Sequence, residues 1–332
     1  MKRWLGVRRH AWLATVLFTV LSATLATADA PAQTWPAKPV RIVASTAAGG
    51  APDILARILA NRISERLGQG VIVDLRPGGS GVIAAEYVMQ SPADGYTWLL
   101  STTTTLAVTP HLRNKLPYDT QKDFIPLSLI ASSANVLLVG RHVPAASAAE
   151  LVTLIKSRPG KFSYGSAGIG SPAHLAGELF DTLAGTTITH VSYKGAAQAL
   201  NDVAGGQIDL IMTSPVAAKA FLQGDRVKAL ATTGAKRDPS LPQLPPLGEV
   251  LPGYEITQWW GMMLRTGTPA AIVERIHREL IATLSEPRIR ELITAQGAAP
   301  QPMSRKEFAE FIVRERTRYG DLVRRAKVPM ED

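Results

Sequence analysis

One pattern recurs along this chain and limits what it can fold into: a short apolar run, a glycine-containing turn, then apolar residues at helical spacing. Residues 40–44 are such a run, Thr46-Ala47-Ala48-Gly49-Gly50 is the turn, and Ile54, Leu55, Ile58, Leu59, Ile63 and Leu67 mark one face of a helix. Pro52 suits the first helical position and Asp53 the first turn. The unit returns at 71–73, with the turn Arg76-Pro77-Gly78-Gly79-Ser80-Gly81 and a helix through Tyr87. A strand at 96–100 then runs into Ser101 and the threonines 102 to 105. Later, 162–164 leads through 165–170 to a helix opening at Ser171-Pro172, and 188–193 leads through Lys194-Gly195 to a helix ending near Gly205-Gly206. Residues 208–212 lead into Ser214-Pro215, a cap and first helical position. This alternation predicts the α/β class, with mostly parallel sheets flanked by helices.

Two series of these units, 36–133 and 134–234, fit a length of 332 residues at roughly 150 per domain. After a proline-rich crossing from Pro239 to Pro252, residues 259–264 read as a strand. Thr268-Pro269 opens a helix with Ile272, Val273, Ile276, Leu280 and Leu284 on one face. A capping box, Ser304-Arg305-Lys306-Glu307, starts a last helix carrying Phe308, Phe311, Ile312 and Tyr319. These C-terminal helices are expected to complete the first domain, giving domain 1 as 33–133 plus 235–332 and domain 2 as 134–234.

The start of the chain reads as an address. Lys2, Arg3, Arg8 and Arg9 precede an uncharged stretch from Ala11 to Ala28, and Ala26-Thr27-Ala28 and Ala30-Pro31-Ala32 both fit a signal-peptide cleavage site. A retained membrane anchor is the alternative, but Thr15, Thr19, Ser22, Thr24 and Thr27 interrupt the apolar centre. We therefore expect 1–32 to be a cleaved signal peptide and the mature chain to be soluble. Cleavage after Ala32 removes four basic residues and Asp29, so the net charge falls from +9 to +6. A modest positive charge without Lys/Arg runs favours small anions over nucleic acid. With 46% hydrophobic residues and no cysteine, disorder, a disulfide scaffold, a zinc ribbon and a cysteine nucleophile are all excluded.

The glycine turns carry the functional signal. In open α/β sheets ligands bind beyond the carboxyl ends of the strands, where helix N-terminal amides favour an anion and glycine permits close approach. Turns at 46–53, 76–81, 165–174 and 194–195 repeat this arrangement, against the plain alternative that glycines only make tight turns. Ala51 before Pro52 is a poor cap, which leaves amides for a guest. His174 stands in the first turn of its helix and Lys194 offers a countercharge. Chemistry finds no such support. Gly168-Ile169-Gly170-Ser171-Pro172-Ala173 matches a dinucleotide fingerprint, but His190, Ser192 and Lys194 stand where its acid should be. No nucleophile elbow, zinc helix or calcium loop occurs, and the six histidines are scattered. Trp259 and Trp260 read as core or hinge packing. No catalytic set, metal site or cofactor is expected. Gly49→Val or Gly170→Val is expected to abolish binding with the fold near intact.

Longer stretches carry a resemblance. Trp35-Pro36-Ala37-Lys38-Pro39, Ala47-Ala48-Gly49-Gly50 with Asp53, and Arg76-Pro77-Gly78-Gly79 are joined by Asp94-Gly95-Tyr96 and Leu116-Pro117-Tyr118-Asp119 with Lys122-Asp123-Phe124. Gly168-Ile169-Gly170-Ser171 with 174–179, Tyr193-Lys194-Gly195, Gly205-Gly206-Gln207-Ile208-Asp209 and Gly267-Thr268-Pro269 continue it. Over essentially the whole mature chain the sequence resembles the Bug/TctC family, the substrate-binding receptors of tripartite tricarboxylate transporters.

The resemblance implies a type II-like periplasmic binding protein with two α/β domains closing on a small carboxylate. It implies delivery of that carboxylate to integral membrane transporter subunits. Family ligands are di- and tricarboxylates, acidic amino acids, nicotinate and aromatic acids, held through backbone groups and water. The expected contacts are Thr46, Ala47, Ala48, Gly49, Gly50 and Asp53, with Ser80, Thr102 and Thr103 beside them. Ser166, Gly170, Ser171, His174, Lys194, Thr213 and Ser214 lie across the cleft. Two departures stand out: Ser45-Thr46 replace a proline and an aromatic residue, and Thr213-Ser214 replace a frequent acid. Without that acid nothing pairs an ammonium, which points to a plain carboxylate rather than an amino acid. A sensor kinase is the alternative partner, an exported α/β enzyme the third class, and a monomer is expected.

Overall fold

The computed structural model describes residues 35–238, 241–326, 328 and 330. The signal peptide read at 1–32 lies outside them. Residues 1–37 form one unit, of which 35–37 are described, and residues 38–332 form another, which holds everything below.

The strands are β1 (Val40–Ala44), β2 (Val71–Leu75), β3 (Thr97–Thr102), β4 (Phe124–Ala134), β5 (Val136–Gly140), β6 (Ser163–Ser166), β7 (Thr189–Ser192), β8 (Leu210–Thr213), β9 (Val227–Thr232), β10 (Thr257–Arg265) and β11 (Ala299–Pro300). The helices are α1 (Ala51–Leu67), α2 (Val82–Gln90), α3 (Ala148–Ser157), α4 (Pro172–Ala184), α5 (Ala196–Ala204), α6 (Pro215–Gln223), α7 (Ala270–Ser285), α8 (Pro287–Thr294) and α9 (Arg305–Arg325). They build two sheets, one in the order β11-β4-β10-β3-β1-β2, the other β7-β6-β8-β5-β9. Each is parallel where the glycine-turn units build it: β1 pairs β2 and β3 in parallel, as β6 pairs β7 and β8. Each turns antiparallel where crossing strands join it, at β10 with β3 and β4 and at β5 with β8 and β9. The architecture is therefore α/β with two mixed sheets flanked by helices.

Strand composition follows position. β1 and β8 are almost wholly buried, which is why, Arg41 and Thr213 apart, their sequences run apolar without alternation. β4 hides Pro126 in an otherwise ordinary strand, and this residue pairs Met263 beside a register shift where a ladder tolerates a missing N–H. Several strands reach further than the apolar pattern: β3 ends at Thr102, β6 at Ser166 and β8 at Thr213, so the hydroxyl residues are the last rungs of the ladders.

The chain passes between the sheets twice. Asn135 alone separates β4 from β5, and residues 233–256 lead from β9 to β10. The crossings bond each other: Asn135 N donates to Thr233 Oγ1 at 2.8 Å, and Thr233 N to the Asn135 carbonyl at 2.8 Å. Thr233 Oγ1 in turn donates to the Ile256 carbonyl at 2.6 Å.

Helix starts follow the capping residues. Ser171, Ser214 and Ser304 cap α4, α6 and α9, the last as a full capping box. α1 begins at Ala51 with Gly50 as its cap, one residue earlier than Pro52 suggests, because proline is equally accommodated at the second helical position. Arg62 Nε to Glu286 Oε2 at 2.7 Å and Arg66 Nε to Glu279 Oε2 at 3.0 Å tie the far end of α1 to α7 and its exit. On the first sheet, α9 lays Phe308 edge-on to Trp259, ring centroids 6.2 Å apart. A Cβ on Gly261 would stand 2.1 Å from Phe308 Cζ.

In the second sheet, His190 stacks on Tyr164 at 4.9 Å and on His174 at 4.1 Å, and Ser166 Oγ meets His190 Nε2 at 2.7 Å. Burial pushes both imidazoles down from 6.5 to about 4, with His174 further lowering His190. Both are neutral in the folded chain, and the unfolded chain takes up protons first. The stability these two contribute is therefore complete above about pH 6.5 and is lost as the pH drops toward 4. For His174 alone the loss is on the order of 3 kcal/mol. Urea unfolding at pH 7, 6, 5 and 4.5 should show this decline, and His174→Gln should flatten it. Gly261→Ala should lower stability at every pH by about 1–3 kcal/mol, because the Phe308 ring has to move.

Candidate ligand-binding site

Five helices begin at one cavity of about 470 Å³. Gly50, Ala51 and Pro52 bring the start of α1, and Gly81 that of α2. Ser171, Pro172 and Ala173 bring α4, Ala196 brings α5, and Ser214 and Ala217 bring α6. Each start follows the carboxyl end of a strand: α1 and α2 after β1 and β2 of the first sheet, α4, α5 and α6 after β6, β7 and β8 of the second. Asn135 from the first crossing and Gln258–Trp260 from the start of β10 add to the lining. The volume suits a small organic molecule.

The starts of α1, α2 and α5 have glycine caps, Gly50, Gly81 and Gly195, and none carries a side-chain cap bond. The first turns of α1 and α5 join the lining with the positive end of the helix dipole behind them, while at α2 the first amide, Val82 N, donates to the Gly79 carbonyl. A Cβ at Gly50 would stand 2.2 Å from Thr46 Oγ1, so any larger residue there would force Thr46 to turn. Arg113 and Lys194 are the charged residues of the lining, and among the described residues neither Asp nor Glu joins them. The electrostatics favour an anion and set no carboxylate opposite a cation.

Nine of the sequence-predicted contacts lie on this lining: Thr46, Gly50, Ser80, Thr102, Thr103, Ser171, Lys194, Thr213 and Ser214. Several of their hydroxyls already serve the fold. Ser171 Oγ accepts from His174 N and Ser214 Oγ from Ala217 N, both at 3.3 Å. Thr103 Oγ1 accepts from Trp259 N at 2.8 Å, and Thr102 Oγ1 lies 3.1 Å from Thr105 Oγ1. Ser171 and Ser214 only accept in these bonds, so a guest meets their O–H protons as well as the backbone.

The other seven, Ala47, Ala48, Gly49, Asp53, Ser166, Gly170 and His174, stand behind the lining or at its rim. Asp53 accepts from Gly49 N at 2.9 Å and from Arg57 Nε at 2.7 Å, so its carboxylate shapes the loop. His174 Nδ1 accepts from Gly170 N at 3.1 Å, which uses both groups. Ser166 Oγ accepts from Gly168 N at 3.1 Å beside its contact to His190. Ser166 is buried and His190 half-buried, and neither of the two lines the cavity. Ala48 and Gly49 are exposed, and the methyl of Ala47 lies 3.1 Å from the Cβ position of Gly195.

This geometry corrects the expectation for the two glycines. Gly170 has φ +70 and a Cβ there would meet Leu112 Cδ1 at 2.5 Å, while Gly49 has φ +79. Valine at either position strains the backbone before it touches a guest. Arg113, Asn135, Tyr193 and Gln258 line the cavity without having been singled out, and Trp259 and Trp260, read as packing, line it as well as filling the core. Arg113 sits outside every periodic segment, and its charge was its one sequence signal.

Comparison with known proteins follows the same lines. Residues 55–328 match the model of the TctC family, described as "Tripartite tricarboxylate transporter family receptor". Protein BugT of Bordetella pertussis is 32% identical over 316 residues, 93% of this chain and 97% of BugT. Among solved structures, R. palustris Rpa4515 with adipate is 36% identical with a TM-score of 0.87, covering 89% of this chain and 99% of that one. MatC from Rhodopseudomonas palustris with bound malate is 28% identical with a TM-score of 0.82, covering 87% and 100%. Sequence and fold agree over nearly the whole length, and the chain belongs to the TctC family of tripartite tricarboxylate transporter receptors.

Proposed function

We propose that this chain is an exported receptor that captures a small organic carboxylate between its two sheets and delivers it to a tripartite tricarboxylate-type membrane transporter. In this reading residues 33–133 with 235–332 form one lobe and 134–234 the other, and the lobes close on the guest. One observation carries it: five helix starts, Arg113 and Lys194 meet at a cavity without a carboxylate of its own. Such a cavity binds through fixed backbone dipoles and leaves the guest chemically unchanged, which supports a receptor over an enzyme. Solved relatives hold adipate and malate, both plain acids. Export rests on the N-terminal reading and on family membership.

The absence of Asp and Glu from the lining extends the argument to ligand choice. An amino acid would bring an ammonium into a site already positive, with no carboxylate to offset its desolvation. We read the guest as a carboxylate without an amine.

Calorimetry on matched acids tests this directly. Malate should bind at least roughly 100-fold more tightly than aspartate, and glutarate than glutamate, because each pair differs mainly in the ammonium. Tight binding of aspartate or glutamate with no response to the plain acids would overturn the reading. Ala196→Asp tests the helix starts. An acid at the first position of α5 suits that helix, so thermal stability without ligand should stay within a few degrees. Affinity for plain acids should fall roughly 100-fold from like-charge repulsion. Unchanged affinity would remove the α5 start from the site.

A further inference from the structure

We infer that Ser80 is a positioning residue whose hydroxyl latches the loop after β2 onto the loop after β6 and so sets how fast a captured guest leaves. The guest itself rests on the receptor reading above. Ser80 Oγ donates to the Ile169 carbonyl at 2.7 Å, joining residues 89 positions apart. β2 belongs to the first sheet and β6 to the second, and both Ser80 and Ile169 line the cavity. The bond therefore spans the two walls that a guest must pass.

Its donor is held in an unusual way. Ser80 has φ 55 and ψ 33, a left-handed conformation that serine seldom adopts. Gly78, Gly79 and Gly81 around it also have positive φ, so a fourth glycine would relax the loop. What glycine lacks is the hydroxyl. Thr109 Oγ1 donates to the Ser80 carbonyl at 3.1 Å and anchors the loop from its own side. The acceptor is fixed too: Ile169 lies between Gly168, whose amide is held by Ser166 Oγ, and Gly170, whose amide is held by His174 Nδ1.

The same bond excludes the simpler role. A serine hydroxyl has one proton, and this one goes to Ile169, so Ser80 keeps only acceptor capacity toward the cavity. A carboxylate cannot use that. The contribution to capture is therefore indirect, through the wall-to-wall bond, and it should be the same for every guest.

Stopped-flow kinetics on Ser80→Gly and Ser80→Ala, with malate and adipate as probes, test this. Dissociation should quicken about fivefold to tenfold in both variants, the scale of one lost hydrogen bond, and by the same factor for both acids. Association should not slow, since no contact with the guest is lost, and it quickens to the extent that the latch already closes the free protein. Glycine relieves the backbone while alanine does not, so a shared effect belongs to the hydroxyl. Unchanged dissociation, or a factor that differs between the acids, overturns the latch. A ligand-free arm uses the absence of cysteine: spin labels at Gln90→Cys and Thr182→Cys, both exposed, report the separation of α2 and α4. Ser80→Gly should broaden that distance distribution toward longer values, and an unchanged distribution overturns the latch. Wild-type protein that binds neither acid would contradict the receptor reading, and the labels would still decide the latch.

Discussion

A helix cannot satisfy the amides of its own first turn, and this structure places five such turns around one small volume. Each start carries a partial positive charge, and bringing several together is favourable only where water or an anion answers them. Glycine caps at α1 and α5 leave that answer to a guest, whereas the Gly79 carbonyl supplies part of it at α2 and serine side chains part of it at α4 and α6. The selectivity is electrostatic before it is steric. A cavity with Arg113 and Lys194 and no acid in its lining attracts negative charge whatever the rest of the guest looks like.

The remaining architecture serves to hold these ends still. Parallel pairing aligns β1 with β2 and β3, and β6 with β7 and β8, so their carboxyl ends, and the helices that follow, point the same way. A single residue, Asn135, carries the chain from one sheet to the other, cross-bonded to Thr233 on the return path. Thr103 pins β10 beneath the cavity through Trp259 N at 2.8 Å. Two rigid sheets joined by a short, bonded crossing suit a receptor that must hold a guest firmly and still release it.

The βα units, their glycine turns and the serine caps were legible because each rests on local chemistry: apolar periodicity, left-handed turns, a hydroxyl before a proline. Of the antiparallel additions only β10 was, as the strand read at 259–264. β4 carries a proline and scattered serines, β5 and β9 have no turn signature to frame them, and α3 has only Ser147 with Glu150 three residues on, outside the glycine-turn series. At the site, sequence pointed to the right loops but could not say which way a residue faces within one. Ser171 and His174 lie on one helix turn, yet only Ser171 lines the cavity, because His174 turns its Nδ1 back to Gly170. Asp53 looked like a ligand contact and instead braces Gly49. Asn135 and Gln258 were invisible, since their place depends on strands from distant segments meeting.

The most direct measurement is the protonation of a bound guest. Carbon-13 NMR of carboxyl-labelled adipate in the complex, titrated from pH 7 downward, reads how strongly the site prefers the charged form. If helix amides hold the carboxylate, at least one carboxyl should titrate about one unit or more below its free value. Bound carboxyls that titrate at or above the free acid would contradict the account.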